Sequence, residues 1–201
     1  IKDDLNSIVK LESRKSSGTE HLYGLIHAIK NQVVVKFTYY KFWEGKFTER
    51  ICNPYFIKEF RNRWYVIAQD QKDDLIKTFA FDRISNLAIS NNKFTPEDIS
   101  ETESKFSNAF GINLLDNTQP EEVILSFTPF QGKYLKSLPL HESQEILVDD
   151  DLEVRFKLNV YVTPDFIMEL LSYGSNLKVI KPESLKKEIQ IQLRKALEKY
   201  E

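Results

Sequence analysis

The sequence predicts an α+β protein in which a small five-stranded β-barrel precedes a second unit. Residues 32 to 92 contain five short segments in which apolar or aromatic residues alternate with period two, joined by hairpin-like turns. Residues 119 to 182 instead run strand, helix, strand, strand, helix, strand, which is the ferredoxin-like order βαββαβ. The chain therefore divides into a barrel at 32 to 92 and a second unit at 119 to 201.

The segment before the barrel has apolar residues at helical spacing. This spacing predicts an amphipathic helix over residues 20 to 31, with Thr19 or Ser17 as its N-cap. A second, shorter helix is predicted over residues 3 to 11.

The barrel strands follow in order. The first reads VVVKFTYY and leads to a turn at Gly45. The second, FTERICNPYFIKEF, contains Pro54, which favours an edge or a bend because proline cannot donate to a ladder. NRWYVIAQD is the third strand, and DDLIKTFAFDRISNLAIS supplies the fourth and the fifth. Closure of these strands would remove exposed sheet edges.

The remaining segments build the second unit. Residues 93 to 118 are polar and contain proline and glycine, so we interpret them as a linker with a short helix near residues 104 to 110. The predicted strands are EEVILSFTP, SQEILVDDD, LEVRFKLNVYVT and NLKVIKP. FQGKYLKSLPL is a short helix or turn, PDFIMELLSYG is a helix between Pro164 and Gly174, and a final helix ends the chain.

Charge is distributed unevenly along the chain. Overall the net charge is −2, with 41% hydrophobic and 29% charged residues, as in globular proteins with a core. Residues 30 to 83 carry 11 Lys and Arg against 7 Asp and Glu, whereas residues 91 to 201 carry 13 against 19. A basic segment inside an acidic chain is a weak indication of an anionic partner.

Several classes of protein are disfavoured. No apolar run approaches the roughly 18 to 20 residues that span a bilayer, and the first ten residues lack the apolar core of a signal peptide. Cys52 is the only cysteine, so it cannot form an internal disulfide. We therefore expect a cytoplasmic protein without a membrane partner.

Catalytic motifs are also weak. His21 and His27 lie six residues apart, unlike a metal pair at i, i+4, and no glycine-rich phosphate loop is present. Cys52 is interpreted as a small buried residue. The run Asp149–Asp151 could bind a divalent cation, although a solvated hairpin turn is favoured. We expect no enzyme activity, no metal and no cofactor.

What remains is the basic barrel, whose aromatic rings could stack on bases and whose cations could meet phosphate. The candidate ligand-binding residues are Tyr39, Lys41, Arg50, Tyr65, Lys77, Phe79 and Arg83. Strand alternation places Lys77 and Phe79 on one face, joined by Arg83 if the strand stays regular. The alternative is that the rings fill the core and that Arg83 forms only an ion pair with Asp82.

The segments VVVKFTYYKF, ERICNPYFI, NRWYVIAQD and IKTFAFDRIS resemble the WYL domain of bacterial transcription regulators. The Trp-Tyr-Leu triplet of that family corresponds here to Trp64-Tyr65-Val66. Further matches in the same order are Tyr39, Arg50, Pro54-Tyr55, Phe79, Asp82, Arg83 and Ile84. The C-terminal half is similar to the WCX extension that follows many WYL domains. Together the resemblance covers about residues 20 to 200.

This resemblance implies a Sm-like barrel that binds nucleic acid or a nucleotide-type ligand in a positively charged cleft. It implies a homodimer, with contacts from the extension. It also implies an upstream winged helix-turn-helix domain, which is expected to be missing from this chain. Duplex DNA would be bound only through that domain. Residues 1 to 31 then resemble connector helices between the two parts.

The sequence departs from the family at two positions. Lys77-Thr78 stands where many members have an arginine, and Ala80 stands where many have another. The cleft keeps Arg50, Lys77 and Arg83, but lysine is a point charge without the bidentate geometry of arginine.

Three functions follow from these observations. The first is a ligand-sensing and dimerisation region of a transcription regulator that takes single-stranded nucleic acid or a nucleotide. The second is a structural module for dimerisation or protein docking without a ligand. The third is an enzyme that acts on nucleic acid with a metal at Asp149–Asp151, and it ranks last because this run lies in the acidic half.

Overall fold

A computed structural model describes residues 17–113 and 118–201 of the chain. The predicted helix over residues 3 to 11, and with it about half of the connector segment, lies outside these ranges. The described residues form two compact units that divide between Glu97 and Asp98. Both units combine helices with an antiparallel sheet, which is the α+β class that the sequence predicts.

The described residues of the first unit, 17–97, form one α-helix and one five-stranded sheet. Its elements are α1 (Leu22–Asn31), β1 (Val33–Lys41), β2 (Lys46–Phe60), β3 (Arg63–Asp70), β4 (Leu75–Ala80) and β5 (Ile84–Lys93). A 3-10 turn at Thr19–His21 precedes α1, and another at Phe81–Arg83 joins β4 to β5. No side chain caps α1, so the prediction of Thr19 or Ser17 as N-cap was wrong; the 3-10 turn provides the entry instead.

The sheet has the strand order β4-β3-β2-β1-β5. The long strand β2 connects its halves, because its first part pairs with β1 up to Cys52 and its second part pairs with β3 from Cys52 onward. The β1 ladder ends two residues before Pro54, and the register with β3 shifts between Pro54 and Phe56. The irregularity therefore falls at the proline, which cannot donate a ladder hydrogen bond.

The predicted closure of the barrel is not found among the described residues, since β4 and β5 are the two edges of the sheet and do not pair. At the end of β4, the amide of Ala80 donates to the hydroxyl of Tyr39 over 3.3 Å. A side chain from β1 thus satisfies a donor that a closing strand would otherwise take up.

The core of the first unit lies between α1 and one face of the sheet. Leu25 and Ala28 are the fully buried residues of the helix. In β1, alternate residues from Val35 to Tyr39 point inward and are buried, while Lys36 between them is exposed. This alternation is what a sheet with one solvated face requires.

In the second unit, the residues that the structure describes form four α-helices and a four-stranded sheet. Its elements are α2 (Ser100–Asn108), β6 (Glu121–Phe127), α3 (Pro129–Ser137), β7 (Glu145–Asp149), β8 (Val154–Val160), α4 (Pro164–Ser172), β9 (Leu177–Lys181) and α5 (Glu183–Leu197). The strands pair antiparallel in the order β7-β8-β6-β9. Between β6 and β9 the chain runs strand, helix, strand, strand, helix, strand.

Helix capping and close packing fix this unit. The hydroxyl of Thr163 accepts the amide hydrogen of Phe166, and Pro164 occupies the first turn of α4, where its missing donor costs nothing. Gly132 of α3 packs against β8 so closely that an added Cβ would lie 2.4 Å from the side chain of Val154. The core is apolar, with Leu125, Phe156 and Phe166 among its fully buried members.

No helix within the described ranges is both long enough and apolar enough to cross a bilayer.

Candidate functional site

Two turns of the first unit bring Arg83 against aromatic rings. Arg83 ends the 3-10 turn after β4, and Phe42 follows the last residue of β1. The guanidinium carbon of Arg83 lies 5.0 Å from the ring centroid of Tyr39 and 4.9 Å from that of Phe42. These distances are typical of cation–π contacts. We call Arg83, Tyr39 and Phe42 the Arg83 patch.

The Tyr39 ring of the Arg83 patch belongs to the core of the first unit. Tyr39 is 7% exposed, and its ring packs edge-on against Phe79 with centroids 5.0 Å apart. Burial raises the pKa of Tyr39 above its usual value, and the charge of Arg83 offsets this only in part. The hydroxyl therefore stays protonated at neutral pH and does not neutralise the guanidinium.

Arg83 has no carboxylate within ion-pair distance in the part of the chain that the structure describes. The neighbouring Asp82 lies 3.8 Å from Arg63 instead, so the ion pair considered for Asp82 and Arg83 is not formed. Because aromatic faces leave the edge of a guanidinium uncovered, its N–H groups can still donate to a phosphate or carboxylate in two bonds.

The other two arginine and lysine residues of the predicted cleft belong to a separate group. Nη1 of Arg50 donates to Oδ2 of Asp70 over 2.6 Å, and Nζ of Lys77 donates to the same oxygen over 2.8 Å. Lys77 also reaches Asp73 at 2.5 Å. We call Arg50, Asp70, Asp73 and Lys77 the Asp70 cluster. Two cations meet two carboxylates there, so the cluster carries no net charge.

Strand register explains the Asp70 cluster. Cys52 of β2 lies opposite Asp70 of β3, and Arg50 is two residues away on the same face of β2. Lys77 of β4 lies opposite Ala68, two residues from Asp70 on β3. The side chains of Arg50 and Asp70 are 9% and 1% exposed.

Asp70 stays ionised in this setting. Burial alone would raise its pKa, but hydrogen bonds from Lys77, from the Lys72 amide and from Arg50 outweigh it, and the pKa is lowered. The thiol of Cys52 responds in the opposite way, since burial and then the charge of Asp70 raise its pKa to about 12. Cys52 is thus a protonated core residue, as the sequence predicts.

The remaining predicted site residues are not free on the surface. Lys41 donates to Glu44 across the hairpin turn over 2.6 Å. Tyr65 and Phe79 are 6% and 3% exposed, so they support the site from the core. Trp64, the neighbour of Tyr65, is half-buried and packs at the edge of the same core. Six of the seven predicted residues therefore fall into the Arg83 patch, the Asp70 cluster and the core, and Lys41 pairs with Glu44 at the β1–β2 turn.

Sequence reasoning missed the aromatic residues of the β1–β2 turn. Phe42, Trp43 and Phe47 are 60%, 99% and 69% exposed, respectively. The signal was present in the segment FWEGKF, which places three large rings around the turn glycine. Their proximity to Arg83, about forty residues further along the chain, depends on the tertiary fold.

The acidic run considered as a metal site forms a turn between β7 and β8. Oδ1 of Asp150 accepts the amides of Leu152 and Glu153, which lowers the pKa of Asp150. Asp149 binds Lys136 at 2.8 Å. Among the residues that the structure describes, no group of three or more His, Cys, Asp or Glu side chains is placed to hold a metal ion.

The first unit is an antiparallel sheet with a half-buried arginine on aromatic rings, and an α+β unit follows it. Residues 20–89 match the model of the WYL domain, and residues 119–197 match that of the WCX domain. The chain therefore carries a WYL domain followed by a WCX domain, which confirms the resemblance seen in its strands. A comparison with curated proteins gives no match.

This chain is similar to several solved structures, among them the following two. One is proteasome accessory factor B/C of Arthrobacter aurescens, with 19% identity and a TM-score of 0.38 over 96% of this chain and 29% of its own. The other is a CRISPR Cas-related protein, with 11% identity and a TM-score of 0.50 over 91% of this chain and 52% of its own. The chain spans less than a third of the first and about half of the second. At such identity, the likeness to the second concerns the fold alone.

Proposed function

We propose that this chain is the ligand-sensing and dimerisation region of a bacterial transcription regulator, and that its ligand is single-stranded nucleic acid or a nucleotide-type anion. The pairing of a WYL domain with a WCX domain supports the regulatory role. The observation that carries the ligand class is the guanidinium of Arg83, which lies over the rings of Tyr39 and Phe42. Among the described residues, no carboxylate lies within ion-pair distance of it.

The finer architecture belongs to the same proposal. We propose that the first unit is an open variant of a Sm-like barrel and that the second unit is ferredoxin-like, which the strand orders β4-β3-β2-β1-β5 and β7-β8-β6-β9 support. Contact with duplex DNA would come from a helix-turn-helix domain of the same polypeptide, in the cytoplasm. The connector would pass the state of the ligand site to that domain.

Signalling requires that the ligand binds two arrangements of the protein with different affinity. A tenfold difference corresponds to about 1.4 kcal/mol. Charge-assisted hydrogen bonds from one guanidinium to a phosphate supply energies of this order, at about 1.5–3 kcal/mol for a bond to a charged group. One well-placed arginine is thus sufficient to bias a dimer.

The test is a fluorescence-anisotropy titration with labelled single-stranded oligonucleotides and with nucleotides, at two salt concentrations. We expect Arg83→Ala to weaken binding at least tenfold and to reduce the slope of log affinity against log salt by about one phosphate contact. Arg83→Lys should recover part of the affinity, because it keeps the charge without the fork. Lys187→Ala, which removes one exposed positive charge from α5, is the matched control.

Binding that is indifferent to Arg83→Ala would reject this site. A variant in which both Arg50 and Arg83 are replaced by alanine would test the site less clearly than Arg83→Ala alone. Arg50 is paired with the buried carboxylate of Asp70, so its loss would also destabilise the fold.

One observation favours a structural module as the second candidate. Phe130, Tyr134 and Leu138 follow one another at helical spacing in and after α3, and they are 68%, 58% and 79% exposed. Such a stripe is typical of a contact with another protein surface. This alternative predicts a stable dimer in light scattering and no change in melting temperature with any nucleotide or oligonucleotide.

A further inference from the structure

The turn between β1 and β2 exposes more aromatic surface than a hairpin requires. Trp43 is 99% exposed, and Phe42 and Phe47 are each more than half exposed. Turn positions are usually filled by small or polar residues, and Gly45, with φ 62°, meets the backbone requirement of this turn. Exposed rings of this size are costly in water and indicate a contact surface. We call residues 40–47 the aromatic hairpin.

Ring contacts connect the aromatic hairpin to the Arg83 patch. The ring of Tyr40 lies 4.7 Å from that of Phe47, its cross-strand partner, and 5.7 Å from that of Phe42. Phe42 in turn lies under the guanidinium of Arg83. The rings of Phe47, Tyr40 and Phe42 therefore form a continuous row that ends at a cation, and the exposed Trp43 follows Phe42 in the turn.

The charge around this surface favours an anionic occupant. Lys41 and Glu44 neutralise each other across the turn, whereas Lys46 adds an exposed positive charge beside Phe47. With Arg83, the aromatic hairpin carries a net positive charge. Exposed rings bordered by cations match a nucleic acid with unpaired bases, whose π-faces stack on the rings while the phosphates meet the cations.

We infer that the aromatic hairpin is a base-stacking subsite, in which Trp43 and Phe47 receive unpaired bases of a strand whose phosphate binds Arg83. This inference rests on the proposed function and extends it to residues outside the predicted cleft. It implies selection of single strands over duplexes, because the bases of a duplex already stack on one another and offer no free face.

Trp43→Ala is the variant that tests the subsite, with an oligothymidylate of about eight nucleotides as the probe. We expect its affinity to fall roughly 5- to 100-fold, the range for loss of one base–aromatic stack. Trp43→Phe should retain most of the affinity. Tyr23→Ala, which removes an 84% exposed ring from α1 in the same unit, should bind like the unchanged chain.

The salt dependence separates stacking from charge. Because a ring neutralises no phosphate, Trp43→Ala should lower the affinity at every salt concentration and leave the slope unchanged, whereas Arg83→Ala reduces the slope. Tryptophan emission offers a direct readout, since the only other tryptophan, Trp64, packs against the core. Oligothymidylate should quench the emission of the unchanged chain, and a duplex of equal length should quench it far less.

The outcomes distinguish the two proposals. Unchanged affinity in Trp43→Ala, together with loss in Arg83→Ala, would reject the subsite and leave the proposed function standing. Binding that neither variant alters, or no binding by the unchanged chain, would reject both. A dimer in light scattering that Trp43→Ala converts to a monomer without nucleic acid would assign the hairpin to a second copy of the chain and also overturn the inference.

Discussion

The Asp70 cluster and the Arg83 patch each contain an arginine of the first unit, yet the two arginines have different partners. In the Asp70 cluster, Arg50 and Lys77 both donate to a carboxylate that is 1% exposed. In the Arg83 patch, the cation rests on Tyr39 and Phe42 instead. A carboxylate accepts hydrogen bonds from the N–H groups of a cation, whereas the face of an aromatic ring leaves those N–H groups available to a ligand.

The difference separates a structural role from a binding role. A buried ion pair is retained because each charge would be costly alone, so it contributes to a unique fold and offers little to a ligand. A cation on aromatic rings keeps its charge and is held in place by the rings. Sequence position alone does not distinguish the two, because both are arginines on or beside strands of a basic segment.

The largest effect that would test this comparison is expected for Asp70→Asn. The change leaves the buried guanidinium of Arg50 without a counter-charge, so we expect the free energy of unfolding to fall by about 3–5 kcal/mol. Both tryptophans lie in the first unit, so urea unfolding followed by tryptophan fluorescence reports on that unit.

Glu49→Gln is the control, since Glu49 and its partner Lys36 are both largely exposed. It should leave the unfolding midpoint nearly unchanged. Equal losses in the two variants would mean that the Asp70 cluster is no more structural than a surface ion pair.

Acid should remove the contribution of Asp70 in a predictable direction. Burial acts to raise the pKa of Asp70, but the hydrogen bonds that it accepts outweigh burial. The net result is a pKa below the ordinary value of 3.8. A carboxyl group with a lower pKa in the folded state stabilises the fold at pH values above its unfolded pKa, and this stabilisation is lost as the pH falls through the folded pKa. We therefore expect stability to decline below about pH 4.

The comparison with Asp70→Asn isolates this group from the other carboxylates. Between pH 7 and pH 2, the variant should lose less stability than the unchanged chain, as measured by urea unfolding at each pH. Parallel pH profiles would show that the protonation of Asp70 does not contribute.

The smallest effect is expected for Asp73→Asn. Asp73 is exposed, and Lys77 keeps its bond to Asp70 when Asp73 is neutralised. The unfolding midpoint should shift only slightly, in the same urea experiment. A loss as large as that of Asp70→Asn would show that both carboxylates are essential to the cluster.

Much of the fold was predictable because short-range patterns carry it. The period of two along β1 and the Pro164-to-Gly174 spacing around α4 identify the elements without knowledge of their partners. Closure of the barrel was not predictable in this way. Whether β4 meets β5 depends on the turn at Phe81–Arg83 and on Tyr39, whose hydroxyl takes the donor at the end of β4.

The candidate site was predicted in composition more than in arrangement. Arg83 and Tyr39 were named together and lie together. Arg50 and Lys77 were named for the same cleft, but register places Asp70 opposite Cys52 and so between their side chains. The alternation that would have carried Arg83 to the side of Lys77 stops at Ala80, where β4 ends.

The sequence by itself determined the two domain families, the α+β class and the basic character of the first unit, because periodicity, turn residues and charge are local properties of the chain. Only the tertiary structure decided which cations remain available to a ligand. It also decided that Phe42 of the aromatic hairpin contacts Arg83. These outcomes depend on contacts between residues far apart in sequence, and the energies that select a carboxylate or a ring as partner arise only when the strands are in register.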